Sequence, residues 1–154
     1  MLILQRTDAL SADFRQLVTL LDADLAIRDG DEHPFFAQFN KLDTIPWVVV
    51  AYENGVPVGC GAIKKYADEV VEVKRMFTHS NARGKGIASA VLSELENWAA
   101  EMGFVKCILE TGIRQPEAIA LYNKCGYLRI PNYGQYEASV SSVCFEKHLG
   151  LGFL

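Results

Sequence analysis

Apolar residues recur in this chain with two periods, and the switches between them mark its elements. Met1 to Arg6, an apolar run closed by two polar residues, predicts a short first strand. Phe14, Leu17, Val18, Leu21 and Leu25 then fall at steps of three and four, which predicts an amphipathic helix from about Ser11 to Ile27. The polar turn Arg28 to His33 ends at Pro34, which favours a new helix start; Phe35, Phe36 and Phe39 give that short second helix an apolar face. Trp47 to Tyr52 and Val58 to Tyr66 are apolar runs joined across Glu53-Asn54-Gly55, the Asn-Gly signature of a hairpin, and Glu69 to Thr78 adds a third strand to an antiparallel meander. Gly59 and Gly61, inside the second of these runs, mark a bulge or a close approach to the backbone.

A second long helix follows a glycine-rich connection. Its apolar positions Ile87, Val91, Leu95, Trp98 and Met102 lie four, four, three and four apart, and Gly103 suits its C-terminal cap. Val105 to Glu110 is a strand reached only through that helix, so it should lie parallel to the strand before the loop, by a right-handed crossover. Pro116 opens a helix carrying Ala118, Leu121, Tyr122 and Cys125 on one side and ending at Gly126. Tyr127 to Ile130 and Ser142 to Lys147 close the sheet, separated by the polar and aromatic loop from Pro131 to Ser141. With no repeat, linker or low-complexity stretch, residues 1–154 are expected to form one mixed α/β domain.

Composition narrows the function classes more than the fold. Half the residues are apolar and 22% are charged, with a formal net charge of −4 and no basic run, which argues against a nucleic-acid partner. No apolar stretch has transmembrane length, no membrane partner is expected, and the absence of a signal-peptide pattern makes a cytoplasmic protein the default. Cys60, Cys107, Cys125 and Cys144 form no C-x-x-C pair; the last three, in apolar surroundings, read as small core residues. His33, His79 and His148 share no ligand spacing, so no metal site is expected.

The chemistry concentrates at Ala82-Arg83-Gly84-Lys85-Gly86-Ile87-Ala88, between a strand and a long helix. A helix N-terminus offers unpaired N–H groups and the positive end of the peptide dipoles, which together suit a phosphate; Arg83 and Lys85 add charge there. The Gly-Lys-Ser/Thr ending of a P-loop is absent, which argues against a nucleoside triphosphate.

These residues resemble the GCN5-related N-acetyltransferases (GNAT). Arg83-Gly84-Lys85-Gly86-Ile87-Ala88 fits the family's acyl-CoA signature, Arg/Gln-x-x-Gly-x-Gly/Ala. Ala118-x-x-Leu121-Tyr122-x-Lys124-x-Gly126-Tyr127 fits its second helix-to-strand motif, and Glu72 to Thr78 fits the strand before the loop. The resemblance implies an acyl-CoA N-acyltransferase fold: a mixed, mostly antiparallel sheet of about six to seven strands flanked by about four helices, with a splayed parallel pair at its centre.

It also implies acetyl-CoA as acyl donor. The pyrophosphate would sit on the loop amides from Arg83 to Ala88 with Ser89 nearby, the pantetheine would pair with the backbone around Met76 and Thr78, and the Phe77 N–H would polarise the acetyl carbonyl. Gln115 stands near the position where many members carry a pantetheine-binding asparagine. The implied reaction is direct attack by an amine in a ternary complex. Glu72 matches the family's general base and Tyr122 its general acid. Bland readings stand beside both: Glu72 as an exposed strand residue paired across to a lysine such as Lys64, and Tyr122 as a core aromatic. The acceptor is a small-molecule or protein amine, with Arg28, Asp29, Tyr133 and Tyr136 as candidate contacts; Asp22, Asp24, Asp31, Glu32 and Asn132 lie in the same regions. A homodimer is an open expectation, with the apolar tail Leu151 to Leu154 a segment a partner would cover. The rival class is a catalytically silent acyl-CoA sensor or partner-binding module of the same fold.

Overall fold

The computed structural model describes residues 1–32 and 45–150. Seven strands form one sheet: β1 (Leu2–Thr7), β2 (Trp47–Glu53), β3 (Val56–Ala67), β4 (Val70–Thr78), β5 (Lys106–Gly112), β6 (Leu128–Ile130) and β7 (Ser142–His148), in the spatial order β1-β2-β3-β4-β5-β7-β6. Three α-helices are described, α1 (Ala12–Asp29), α2 (Ile87–Glu101) and α3 (Pro116–Lys124). The short helix expected after Pro34, with its three phenylalanines, and the apolar tail lie outside the described residues.

Local chemistry accounts for each boundary. The Ser11 hydroxyl caps α1 by accepting from the Phe14 N–H at 3.2 Å. The β2–β3 hairpin turns on Asn54 and Gly55, both at positive φ (52° and 81°), as a two-residue loop that matches strand twist requires. Pro116 stands in the first turn of α3.

The sheet is covered on both faces. α2 and α3 bury Ile87, Val91, Leu95 and Tyr122 against Val49, Val71, Val73, Leu109 and Phe145. On the other face α1 buries Phe14, Leu17 and Val18 against Val48, Val50, Cys60 and Ala62. β2 is therefore apolar on both sides and reads as a continuous run.

Two irregularities open the middle of the sheet. β4 pairs antiparallel with β3, but the register slips between Cys60 and Ala62, and Arg75 takes a left-handed φ of 60°. Facing this bulge, a Cβ on Gly61 would stand 2.4 Å from Met76 Sδ and 2.9 Å from Leu95 Cδ1, so the close approach expected there is that of α2 and the β4 side chains. The parallel pairing of β4 with β5 then covers only Val70 to Glu72 against Lys106 to Ile108. Beyond it β4 stays with β3 as far as Thr78, and β5 stays with β7 as far as Gly112, so each half keeps its hydrogen bonds while a gap opens between them.

Gly61→Ala forces Met76 and Leu95 to move; it should cost about 1–3 kcal/mol and lower the melting temperature by roughly 2–10 °C, as differential scanning calorimetry would measure. An unchanged melting temperature would show that β4 and α2 are not locked together at this glycine.

Candidate active site

The gap between β4 and β5 is a cleft of about 510 Å³ that reaches from the α2–α3 face of the sheet to the α1 face. Strand alternation decides which side chain faces where. Val71 and Val73 point into the α2 core, so Glu72 and Lys74 between and after them point to the α1 face; Cys107 and Leu109 fix Glu110 to that same face.

At the α2 end, Gly84 and Gly86 take positive φ (81° and 78°) with no atom within 4 Å of a built Cβ, so the glycines answer to backbone conformation and leave open space over the loop. Gly86 caps α2 without any side-chain hydrogen bond, which leaves the first-turn N–H groups of Ile87, Ala88 and Ser89 free of a side-chain cap. Ala88 and Ser89 line the cleft, while the Ile87 side chain is buried in the core. Arg83 also lines the cleft; its Nε donates to the Thr78 carbonyl at 3.1 Å, and its guanidinium lies 5.9 Å from the Phe77 ring centre. Lys85 is turned away, its Nζ 3.3 Å from Glu53, and does not line the cleft as its neighbours Gly84 and Gly86 do.

Met76, Phe77 and Thr78 form the β4 wall, and the buried Thr78 hydroxyl has no partner among the described residues. An orphaned hydroxyl, an uncapped helix start and an open glycine loop fit a phosphate-bearing ligand with an amide-rich arm. Gln115 precedes α3 and lines the cleft, its Nε2 3.3 Å from the Cβ position of Gly112.

Tyr122 reaches the cleft from α3. Its ring packs edge-on to Tyr127 at 5.7 Å and tilted to Phe145 at 6.0 Å, and it is only 6% exposed. The core-aromatic reading therefore describes its ring packing, and the residue also lines the cleft. Burial, with the Glu110 carboxylate as the next influence, holds its hydroxyl above the ordinary phenol range.

Glu72 is 2% exposed, which excludes the exposed-strand reading. The register does set it opposite Lys64, yet the hydrogen bond to its carboxylate comes from the Tyr133 hydroxyl at 2.6 Å. Tyr133 stands edge-on to Tyr66 and to Tyr136, with ring centres 5.2 and 5.8 Å away, so an aromatic row holds Glu72 from behind. Tyr136 and the buried Asp29 line the cleft itself. Arg28 is committed elsewhere: it pairs with Asp24 at 3.2 Å and with Glu117 at the start of α3. Most of the neighbouring acids are committed too, Asp22 to Arg75 and Glu32 to Arg114 and the Ser141 hydroxyl. Asn132 donates to the Ser139 carbonyl in its own loop and to the Ser142 carbonyl at the start of β7.

Two groups that sequence reasoning passed over complete the α1 end. Glu110 accepts from the Ser142 hydroxyl at 2.7 Å, and burial raises its carboxyl from 4.5 to about 7. Lys74 lies close by, and burial lowers its ammonium from the ordinary lysine value. Both carry a readable signal: a charge at an alternating position of a strand whose other face is apolar.

Among the described residues no three metal-ligating side chains cluster, and no helix is long and apolar enough to cross a membrane. The His79 imidazole accepts from the Asn81 N–H at 3.2 Å, His148 is exposed beside Glu146, and His33 lies outside the described residues. Cys60, Cys107 and Cys144 are buried free thiols, and the Cys125 thiol donates to the Ser89 hydroxyl at 3.7 Å.

Comparison with known proteins gives this geometry a family. The model of the acetyltransferase (GNAT) family matches residues 12–127. An IAA acetyltransferase of Azospirillum brasilense is 39% identical over 102 residues, covering 66% of this chain and 67% of that protein. The uncharacterized N-acetyltransferase YjgM of Escherichia coli is 31% identical over 136 residues, covering 84% of this chain and 80% of its own. Among solved structures, a candidate acyl-CoA N-acyltransferase from Klebsiella pneumoniae superposes with a TM-score of 0.81 at 29% identity, over 97% of this chain and 98% of that one. A Thermoplasma acidophilum N-acetyltransferase crystallised with coenzyme A shares the fold, with a TM-score of 0.71 at 15% identity, over 96% and 99% of the two chains. With its sheet splayed between β4 and β5 and its glycine loop opening α2, the chain belongs to the GNAT family of N-acetyltransferases.

Proposed function

We propose that this protein moves the acetyl group of acetyl-CoA to a primary amine by direct attack in a ternary complex. One observation carries the reading: a single cleft joins an uncapped helix start and Tyr122 on one face of the sheet to Glu110 and Glu72 on the other. When bound, the donor supplies an acetyl thioester; all other work falls to the chain.

The α2 N-terminus and the amides from Arg83 to Ser89 hold the pyrophosphate, while the backbone of Met76 to Thr78 offers the free strand edge that an amide-bearing arm needs. The Phe77 N–H polarises the acetyl carbonyl. An amine near pKa 10 arrives as ammonium and must lose a proton before it attacks. Glu110 is suited to take that proton, because a carboxyl near pKa 7 is half-ionised at neutral pH and binds a proton far better than an ordinary glutamate. Glu72, fixed by Tyr133, faces the same space and stabilises the incoming positive charge or shares the proton. As the new C–N bond forms and the C–S bond breaks, the Tyr122 hydroxyl donates to the departing sulfur. A buried phenol is a reluctant acid toward a thiolate, so its share of the rate enhancement is modest.

The reading predicts coenzyme A release with at least one member of a broad amine panel and a thermal shift with acetyl-CoA; absence of both would sink it. A silent sensor would show the shift without release. Tyr122→Phe should lower kcat by roughly 10–100-fold while leaving the acetyl-CoA shift in place. The wild-type kcat/KM should rise with pH through about 7 as Glu110 loses its proton, and Glu110→Gln should abolish that rise and most of the activity.

Stability should move the opposite way. The folded state keeps the Glu110 proton that the unfolded chain releases near pH 4.5, so this group's contribution is full below 4.5 and is lost as pH rises through about 7. Above pH 7 Glu110→Gln should therefore melt higher than the wild type, by up to about 3 kcal/mol of stability, and the difference should vanish near pH 4. Equal melting curves at pH 8 would show that Glu110 is not held protonated by the fold.

A further inference from the structure

The transfer reaction as described gives no task to Lys74. It sits in the middle of β4, is 8% exposed, lines the cleft, and stands on the α1 face beside Glu72. Among the described residues its ammonium makes no hydrogen bond and no ion pair; Glu72 and Glu110 act on it only through space. Of the neighbouring cations, Arg75 pairs with Asp22, Arg28 with Asp24 and Glu117, and Arg114 with Glu32, while Lys64 adds a second positive charge that acts on Lys74 through space. A charge withdrawn from water without a direct partner is costly to the fold, and a ligand that supplies the partner recovers that cost on binding.

The chemistry of such a ligand follows from the signs. Glu72 and Glu110 suit the ammonium of the acceptor. Lys74, on the same face, repels a second positive charge, which disfavours a polyamine or a basic peptide, and it attracts an anion. One small molecule satisfies both signs if its amine and its carboxylate lie a few bonds apart. We propose, building on the transferase reading above, that Lys74 anchors the carboxylate of the acceptor, and that the acceptor is a free amino acid whose amine is directed toward Glu72 and Glu110. Lys74 is then a specificity residue: it sets which amine is accepted and takes no proton in the reaction.

The test compares each free amino acid with its own carboxamide. Coenzyme A release is measured for glycine, β-alanine and the common L-amino acids, beside the matching amides and simple alkylamines. For the best acceptor the acid should exceed the amide in kcat/KM by about tenfold or more, chiefly through KM. In Lys74→Met that ratio should collapse to within a few-fold. Taking the ratio cancels any change that Lys74→Met imposes on Glu110 or on the transfer step, because acid and amide share both. An amide accepted as well as its acid by the wild type, a ratio that survives in Lys74→Met, or release with alkylamines but with no amino acid would each overturn the proposal. The wild-type comparison stands even if Lys74→Met does not fold. Failure of the transferase reading looks different: no release with any amine and no acetyl-CoA shift.

Discussion

Everything at the site depends on two strands that pair for three residues and then part. Val70 to Glu72 bind β5, and from Val73 onward β4 keeps only its β3 partner. A sheet normally forbids such a gap, since buried N–H and C=O groups left unpaired are costly. Here the separation is built into both sides. The bulge at Arg75 turns β4 away, and β5 satisfies its own backbone on β7 as far as Gly112. The left-handed Arg75 carries a backbone cost of about 1–3 kcal/mol, and its guanidinium, nearly buried, is tied to Asp22 on α1. The helix that covers the α1 face thus also fixes the kink that opens the cleft.

Much of this was legible in the residues. Asn54-Gly55 determined a two-residue hairpin, and the three-four spacing from Phe14 to Leu21 determined which face of α1 meets the sheet. The loop from Arg83 to Ala88 identified a helix start without a side-chain cap. Gly59 and Gly61 signalled crowding correctly, because a missing Cβ in an apolar strand has few other causes; α2 and β4 together supply the crowding.

The α1 end of the cleft was less legible, for a physical reason. Periodicity reports burial against an apolar neighbour, and the α1 end is a place where charged residues are buried against one another. Lys74 and Glu110 read as ordinary polar-face positions of half-buried strands until the third dimension sets them beside Glu72. Arg28 and Lys85 show the reverse: charge made them candidates, and in the fold Arg28 clasps α1 to α3 through Glu117 while the Lys85 side chain turns to Glu53. Side-chain direction decided these cases, and no local pattern encodes it.

The charges at the α1 end also bear on how one cleft could serve both partners of the proposed transfer. The end assigned to the donor relies on backbone N–H groups, whose polarity is fixed by the chain and needs no proton. The other end relies on side chains whose charges depend on one another: burial raises Glu110 and lowers Lys74, while each charge steadies the other. A ligand bringing an ammonium and a carboxylate would shift both groups back toward their ordinary values at once. Its ammonium would favour ionised Glu110, the form able to accept a proton, and its carboxylate would favour charged Lys74. The acceptor would then prepare its own base by occupying the site, and an amine lacking the carboxylate would do so less completely.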